Sequence, residues 1–310
     1  MNTSLVLMSK LIAMMFIGAV GFITVRSGLL EMRDSRQLAK LSLYALGPCL
    51  IISAFQVDLT AERLHGYLIA LLFALLVQAG FVLLAYLLGR RGILSTMEEL
   101  SVAYTNCGNL ILPIVSMTMG PQMVFYGSAY QLIFNLLFWT NAISRMQDSQ
   151  RIDWKKVLFN PNILAIFAGI FLTLTRIPLP GPVDTAVDMM AGTVGVVSML
   201  VIGMTLAASN IRGMLTYWRA YPVLLIRLIV FPLLAMAALY ASGFLARCPQ
   251  YIPVLRISFM AIAAPPAANV AQLAVLYDKE PVVAGIYNLL GMLLCVLTIP
   301  FVDFLFFRLF

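Results

Sequence analysis

Apolar residues come in long runs along this chain, separated by short clusters of charged residues, glycine and proline. Reading the runs against those breaks gives ten segments, at residues 5–25, 38–57, 66–89, 98–118, 122–144, 160–177, 185–208, 216–243, 252–276 and 281–307. A helix needs about 20 predominantly apolar residues to cross a bilayer, so the pattern predicts ten transmembrane helices. Segment one could be mistaken for a secretory signal. Only Lys10 precedes its core, and no small-residue cleavage site stands before Arg26-Ser27-Gly28, so it reads as a span.

Composition agrees with that reading. The 310 residues are 62% hydrophobic and 11% charged, with a mean hydropathy of +0.97. Soluble domains carry about a quarter charged residues, so a water-soluble enzyme is excluded. Ten spans with short connections use up the length and leave no room for a sizeable soluble domain. The net charge of +7 does not point to nucleic acid, because the basic residues are scattered among the connections, where membrane orientation explains them.

Those bases set a topology. The odd-numbered connections hold thirteen Lys and Arg, from Arg26 to Lys279. The even connections and the two ends hold six: Lys10, Arg63, Arg176, Arg247, Arg256 and Arg308. Positive charge is retained on the cytoplasmic side, which predicts cytoplasmic odd connections and both termini outside a cell (inner) membrane. The most polar connection, Ser144 to Lys156, divides the chain into residues 1–145 and 146–310, five spans each. An odd number of spans per half makes the second half enter from the opposite side. The expected fold is therefore an all-α polytopic membrane protein of two inverted five-helix repeats.

Segments four and nine carry the polar chemistry. Segment four contains Asn106-Cys107-Gly108-Asn109-Leu110-Ile111-Leu112-Pro113, and segment nine contains Ala264-Pro265-Pro266-Ala267-Ala268-Asn269-Val270-Ala271-Gln272. Pro113 and Pro265 stand about half a chain apart, each interrupting an apolar run near its centre. Proline removes one N–H and blocks the carbonyl four residues earlier, and freed backbone groups are costly in hydrocarbon unless protein or a water-filled cavity satisfies them. Two such breaks facing each other across a cavity make a ligand site. Pro113 and Pro265 or Pro266 are expected to start second half-helices, with Leu112 and Ala264 unable to cap them, so that positive helix ends face an anion near the midplane.

Asn106 and Asn109 are three apart and are expected to share a helix face, a spacing that Asn269 and Gln272 repeat. Uncharged amides donate and accept, suiting a carboxylate or a hydrated cation; the plainer reading is interhelical hydrogen bonding, which Asn135, Asn141 and Asn288 fit better. Arg227 is the one charge well inside a segment. It either attracts an anionic substrate, bonds carbonyls freed by the broken helices, or reaches the interface by snorkelling. No acid falls at a midplane, since Asp188, Asp303, Glu98 and Glu99 lie near segment ends, which argues against a carboxylate proton relay.

Other chemistries lack their residues. His65 is the single histidine and sits among Asp58, Glu62 and Arg63 in a polar connection, where solvation is the expected role. Cys49, Cys107, Cys248 and Cys295 form no CxxC pair, so neither a metal site nor a disulfide framework is expected, and Cys49, Cys107 and Cys295 read as buried neutral thiols. Walker, HExxH and GxSxG motifs are missing, leaving no basis for ATP-driven pumping, for an enzyme or for a cofactor.

The Asn106–Pro113 run resembles that of the auxin efflux carrier family, which includes plant auxin carriers and bacterial malonate or dicarboxylate carriers. The resemblance extends through Asn160-Pro161-Asn162, Ser198 to Met204, Arg227 to Pro232, Pro265-Pro266-Ala267 and Leu297 to Pro300. It implies a fold in which segments four and nine cross at their broken centres. Segments one, two, six and seven are then a scaffold that often forms a homodimer. Segments three to five and eight to ten are a substrate-carrying unit moving in an elevator-like cycle. The short middle connection departs from plant carriers that have a long hydrophilic loop there, which puts loop phosphorylation in doubt and fits a prokaryotic carrier. The leading expectation is a secondary carrier of small organic carboxylates, malonate-like, malate-like or auxin-like. Its site draws on Asn106, Asn109, Pro113, Arg227, Pro265, Pro266, Asn269 and Gln272. The alternatives are a sodium-coupled symporter of the related bile-acid type and a membrane receptor that binds without transporting.

Overall fold

The computed structural model describes residues 3–56, 60–147, 159–207, 211–277 and 279–310. Helix occupies all ten predicted segments. Five helices are long and apolar enough to cross a membrane by length and composition: Arg33–Ala54, Ala61–Arg90, Gly181–Ala207, Ala220–Ser242 and Pro281–Leu309. Among the described residues the only extended pairing is one antiparallel bridge, Thr105 with Pro266. The middle connection and its Arg151, Lys155 and Lys156 lie outside the described residues, as does Asp58.

Several segments widen locally into π-turns, and proline explains three of them. The turns Ser42–Leu46, Cys107–Ile111 and Ile226–Val230 are followed, one residue on, by Pro48, Pro113 and Pro232. In each, the residue before the proline donates its N–H five positions back: Gly47 to Ser42, Leu112 to Cys107 and Phe231 to Ile226. A proline ring crowds the carbonyl four residues earlier, and the wider turn moves that carbonyl aside without breaking the helix. The fourth turn, Phe138–Ala142, has no proline behind it; there the Thr140 hydroxyl donates into the helix backbone at the Leu136 carbonyl, 2.6 Å away.

The helices sort into two groups by what they pack against. Segment one lies along segment seven, and segment two lies against six and seven. The first of these contacts is backbone on backbone: a Cβ on Gly203 would come within 1.8 Å of the Gly18 carbonyl oxygen, so only glycine permits the approach. Segments three to five and eight to ten form the second group, with three on five, the first half of nine on three, five and ten, and ten on eight. The hydrogen bonds between segments divide the same way. In the first group Ser42 pairs with Ser198, Ser53 donates to Asp188, and Thr173 donates to the Phe55 carbonyl. In the second group Tyr104 donates to the Leu137 carbonyl and to Asn141, and further bonds between its own segments are given below.

Candidate functional site

Segments four and nine are both broken, and they cross at the breaks. Segment four runs as a helix over Thr96–Ala103, opens at residues 104–106, and resumes as helix from Cys107. Segment nine runs over Ile252–Ile262 and resumes at Ala268–Leu276. Two backbone hydrogen bonds join the extended stretches: Asn106 N–H to the Pro265 carbonyl at 2.8 Å, and Ala267 N–H to the Tyr104 carbonyl at 3.0 Å. The prolines do not start the second half-helices as their position suggested. Pro113 sits well inside the resumed helix, behind its π-turn, and Pro265 and Pro266 lie in the extended break itself. The residues at the starts are Asn106 and Ala267 in place of Leu112 and Ala264, and neither offers a side-chain cap.

The first half-helices end in carbonyls that nothing in their own helices can satisfy, and several near the crossing take a donor from another segment. Gln78 donates Nε2 to Ala103 at 2.9 Å, and its own oxygen accepts from the Tyr130 hydroxyl at 2.7 Å. Asn288 donates Nδ2 to Pro266 at 2.8 Å. Arg227 serves both helices. Its Nε bonds Ala264 at 3.1 Å, Nη2 bonds Ile262 at 2.5 Å and Nη1 reaches Val102 at 3.4 Å. The guanidinium is 0% exposed and stands 5.9 Å from the Phe81 ring centroid.

Arg227 has no carboxylate partner among the described residues, yet its charge is compensated. A helix C-terminus carries roughly −0.5 of an elementary charge, so two of them converging on one guanidinium come to about −1. The two resumed half-helices then present their positive N-termini with no side-chain cap. Asn106 stands at one of these starts, 3% exposed, with its Nδ2 donor unpartnered. Asn135, on the segment packed against the Cys107–Ile111 turn, likewise has a buried Nδ2 without a partner.

The expected amide pairings are altered by the break. Asn106 is not helical (φ −83°, ψ 49°), so it does not share a helix face with Asn109, which is half-buried in the π-turn. Asn269 is buried in the resumed helix of segment nine, while the side chain of Gln272 lies outside the description. His65 is exposed on the first turn of segment three rather than in a connection, and Cys49 is half-buried.

The burial and pairing of several charged residues escaped the sequence reading. Glu98 and Glu99 open segment four and are buried. Glu98 caps its own helix with Ser95, accepts from Arg219 Nε at 2.7 Å, and accepts from the Tyr287 hydroxyl at 2.8 Å. Glu99 pairs with Arg145. At the opposite end of the bundle Arg256 grips Asp303 through two bonds, Nε to Oδ1 at 2.7 Å and Nη2 to Oδ2 at 2.9 Å. All three acids stand near segment ends, where charge is expected, and nothing in a single sequence says that it is buried there.

A scan against protein-family models matches the membrane transport protein family over residues 6–151 and 144–302. The chain belongs to this family, that of the auxin efflux carriers. Membership makes it a membrane-embedded transporter, in keeping with its apolar helices, rather than an enzyme. No curated protein matches the chain individually.

Proposed function

We propose that this membrane transport protein is a secondary carrier of small organic carboxylates, which it binds at the crossing of segments four and nine. The observation that carries the reading is the charge arrangement around the crossing. Arg227 is matched by two helix C-termini, and the two uncapped N-termini are left with a net positive character of about one charge. The orphan groups beside them are the N–H donors of Asn106 and Asn135 and the Thr105 hydroxyl, which can also donate. Donors and positive helix ends suit an anion. A sodium ion needs oxygens, and those of Gln78 and Gln131 already accept from Tyr130 and Cys107, which weighs against the sodium-coupled alternative. Arg227 acts in this reading by holding both breaks together, and Asn106, Asn109 and Asn269 face the substrate.

The carrier moves by rigid displacement of one helix group along the other. Support comes from the described hydrogen bonds between segments, which lie within each group, and from the ion pairs of the second group, while apolar packing joins the two. The halves at 1–145 and 146–310 are read as inverted repeats on the strength of paired features. A buried side chain of segment three (Gln78) or eight (Arg227) satisfies the carbonyls of each break, and an ion pair ties each first half-helix to the closing segment of its own half. The first group is read as the scaffold through which a homodimer forms.

The test is thermal unfolding of purified protein with mono- and dicarboxylates, with and without sodium, followed by uptake into proteoliposomes. A ligand at 100 times its Kd adds about 2.7 kcal/mol of stability. A carboxylate is expected to stabilise without sodium and to be transported. Asn109→Ala is expected to abolish uptake with its unliganded melting temperature unchanged; wild-type uptake in that variant overturns the site.

A further inference from the structure

One apolar cluster stands apart from the main core. Ile51, Phe55, Tyr67, Ala70, Phe125, Ala129, Ala165, Ile166 and Val254 bury one another, and they come from both helix groups: segments two and six on one side, three, five and nine on the other. Four of the contributing helices end or begin beside it, at Ala54, Ala61, Pro121 and Ile252. The cluster therefore lies toward the face reached by the even connections, the one poorer in Lys and Arg.

Phe55 is fixed to the first group. Its carbonyl accepts from the Thr173 hydroxyl at 2.7 Å, and its ring lies over Gly169, where an added Cβ would come within 2.6 Å. The far side of the ring meets the second group, edge-on to Phe125 with centroids 5.0 Å apart and to Tyr67 at 6.0 Å. Phe125 and Tyr67 in turn lie 4.8 Å apart, so three aromatic rings close the boundary. Such ring contacts contain no charge-assisted hydrogen bond to break, unlike the ion pairs of the second group, and can part and re-form as one surface slides on another.

We propose that Phe55, Tyr67 and Phe125 form a releasable seal between the two helix groups, with Phe55 as the fixed wedge, on the side away from the basic connections. The seal is closed in this structure and opens when the carrier exposes its site to that side. This rests on the moving-group reading above. The exchange of halves gives it a counterpart: the contact of segments two and five corresponds to one between seven and ten at the other face, which closes when the seal opens.

Ala129 and Ala70 are both 0% exposed within the cluster and report its opening without any knowledge of the substrate. In a background with Cys49, Cys107, Cys248 and Cys295 all replaced by Ser, Ala129→Cys or Ala70→Cys is reconstituted and treated from either side with a membrane-impermeant methanethiosulfonate. Labelling is expected from one side only, the face of the even connections, and Phe55→Ala is expected to raise its rate at least ten-fold while labelling stays confined to that side, a confinement that general loosening of the core would not keep. Should both cysteines stay unreactive, with Phe55 or without it, the cluster is static packing and the seal is overturned. Equal labelling from both sides overturns it too. Loss of carboxylate uptake with side-specific labelling intact refutes the substrate reading and leaves the seal standing.

Discussion

Arg227 shows how differently one residue reads in sequence and in structure. As the one charge deep inside an apolar segment it stood out at once, and three roles were open to it. Its surroundings assign the carbonyls freed by the breaks, because all its donating edges point at Ile262, Ala264 and Val102. Those partners belong to other segments, so no spacing rule could reveal them. Removing the guanidinium leaves two to three buried acceptors unpaired at about 1–3 kcal/mol each. Arg227→Gln is therefore expected to cost at least about 3 kcal/mol in chemical unfolding of the detergent-solubilised protein. It should also weaken binding of acids and of their amide analogues alike. A variant that stays stable and loses only the acids would return Arg227 to direct substrate contact. Asn106 was equally visible, but its pairing with Asn109 was not, since the i, i+3 argument assumes a helix that the break removes.

At the scale of elements, the ten segments were legible because apolar length against charged punctuation is a coarse, strong signal. The breaks were legible as well, but not where they fall. The sequence predicts that Pro113 begins a half-helix, whereas it sits, like Pro48 and Pro232, just behind a widened turn that absorbs the clash. For Pro113 that turn holds Asn109. Pro113→Ala restores a normal N–H and lets the turn tighten, rotating Asn109 away from its present direction. Uptake is expected to fall at least ten-fold while circular dichroism keeps its helix content; unchanged transport would mean that the turn has no part in binding. The ion pairs make a second element-level prediction. Arg256 and Asp303 are both nearly buried, and leaving one without the other costs about 3–5 kcal/mol. Asp303→Asn should thus unfold far more readily than the exchanged pair Arg256→Asp with Asp303→Arg. Equal instability of the two would show that position rather than charge matching is decisive.

For the molecule as a whole, the opposed halves rest on small agreements between distant positions. Segment three offers Gln78 and segment eight Arg227 to the carbonyls of the two breaks; Glu99 with Arg145 and Arg256 with Asp303 are like pairings with the signs exchanged. An amide in one half and a guanidinium in the other leave no trace in a direct comparison of the two half-sequences. The proposed repeat thus rests on matching roles rather than matching residue types, which only the partners of each side chain bring out. The sorting of helices into two groups was likewise available from resemblance alone, because what separates them is which side chains bond to which.

The bridge between Thr105 and Pro266 also bears on how the protein is made. Segment four emerges from the ribosome long before its partner. At about 5–20 residues per second, synthesis of the stretch between them takes on the order of ten to thirty seconds. Through that interval the open backbone at residues 104–106 has neither Pro265 nor Ala267 to bond, and Arg227 has not yet reached Val102. Until segment nine arrives the polar gap of the first half lacks its native partners, so the crossing closes only when the chain is nearly complete.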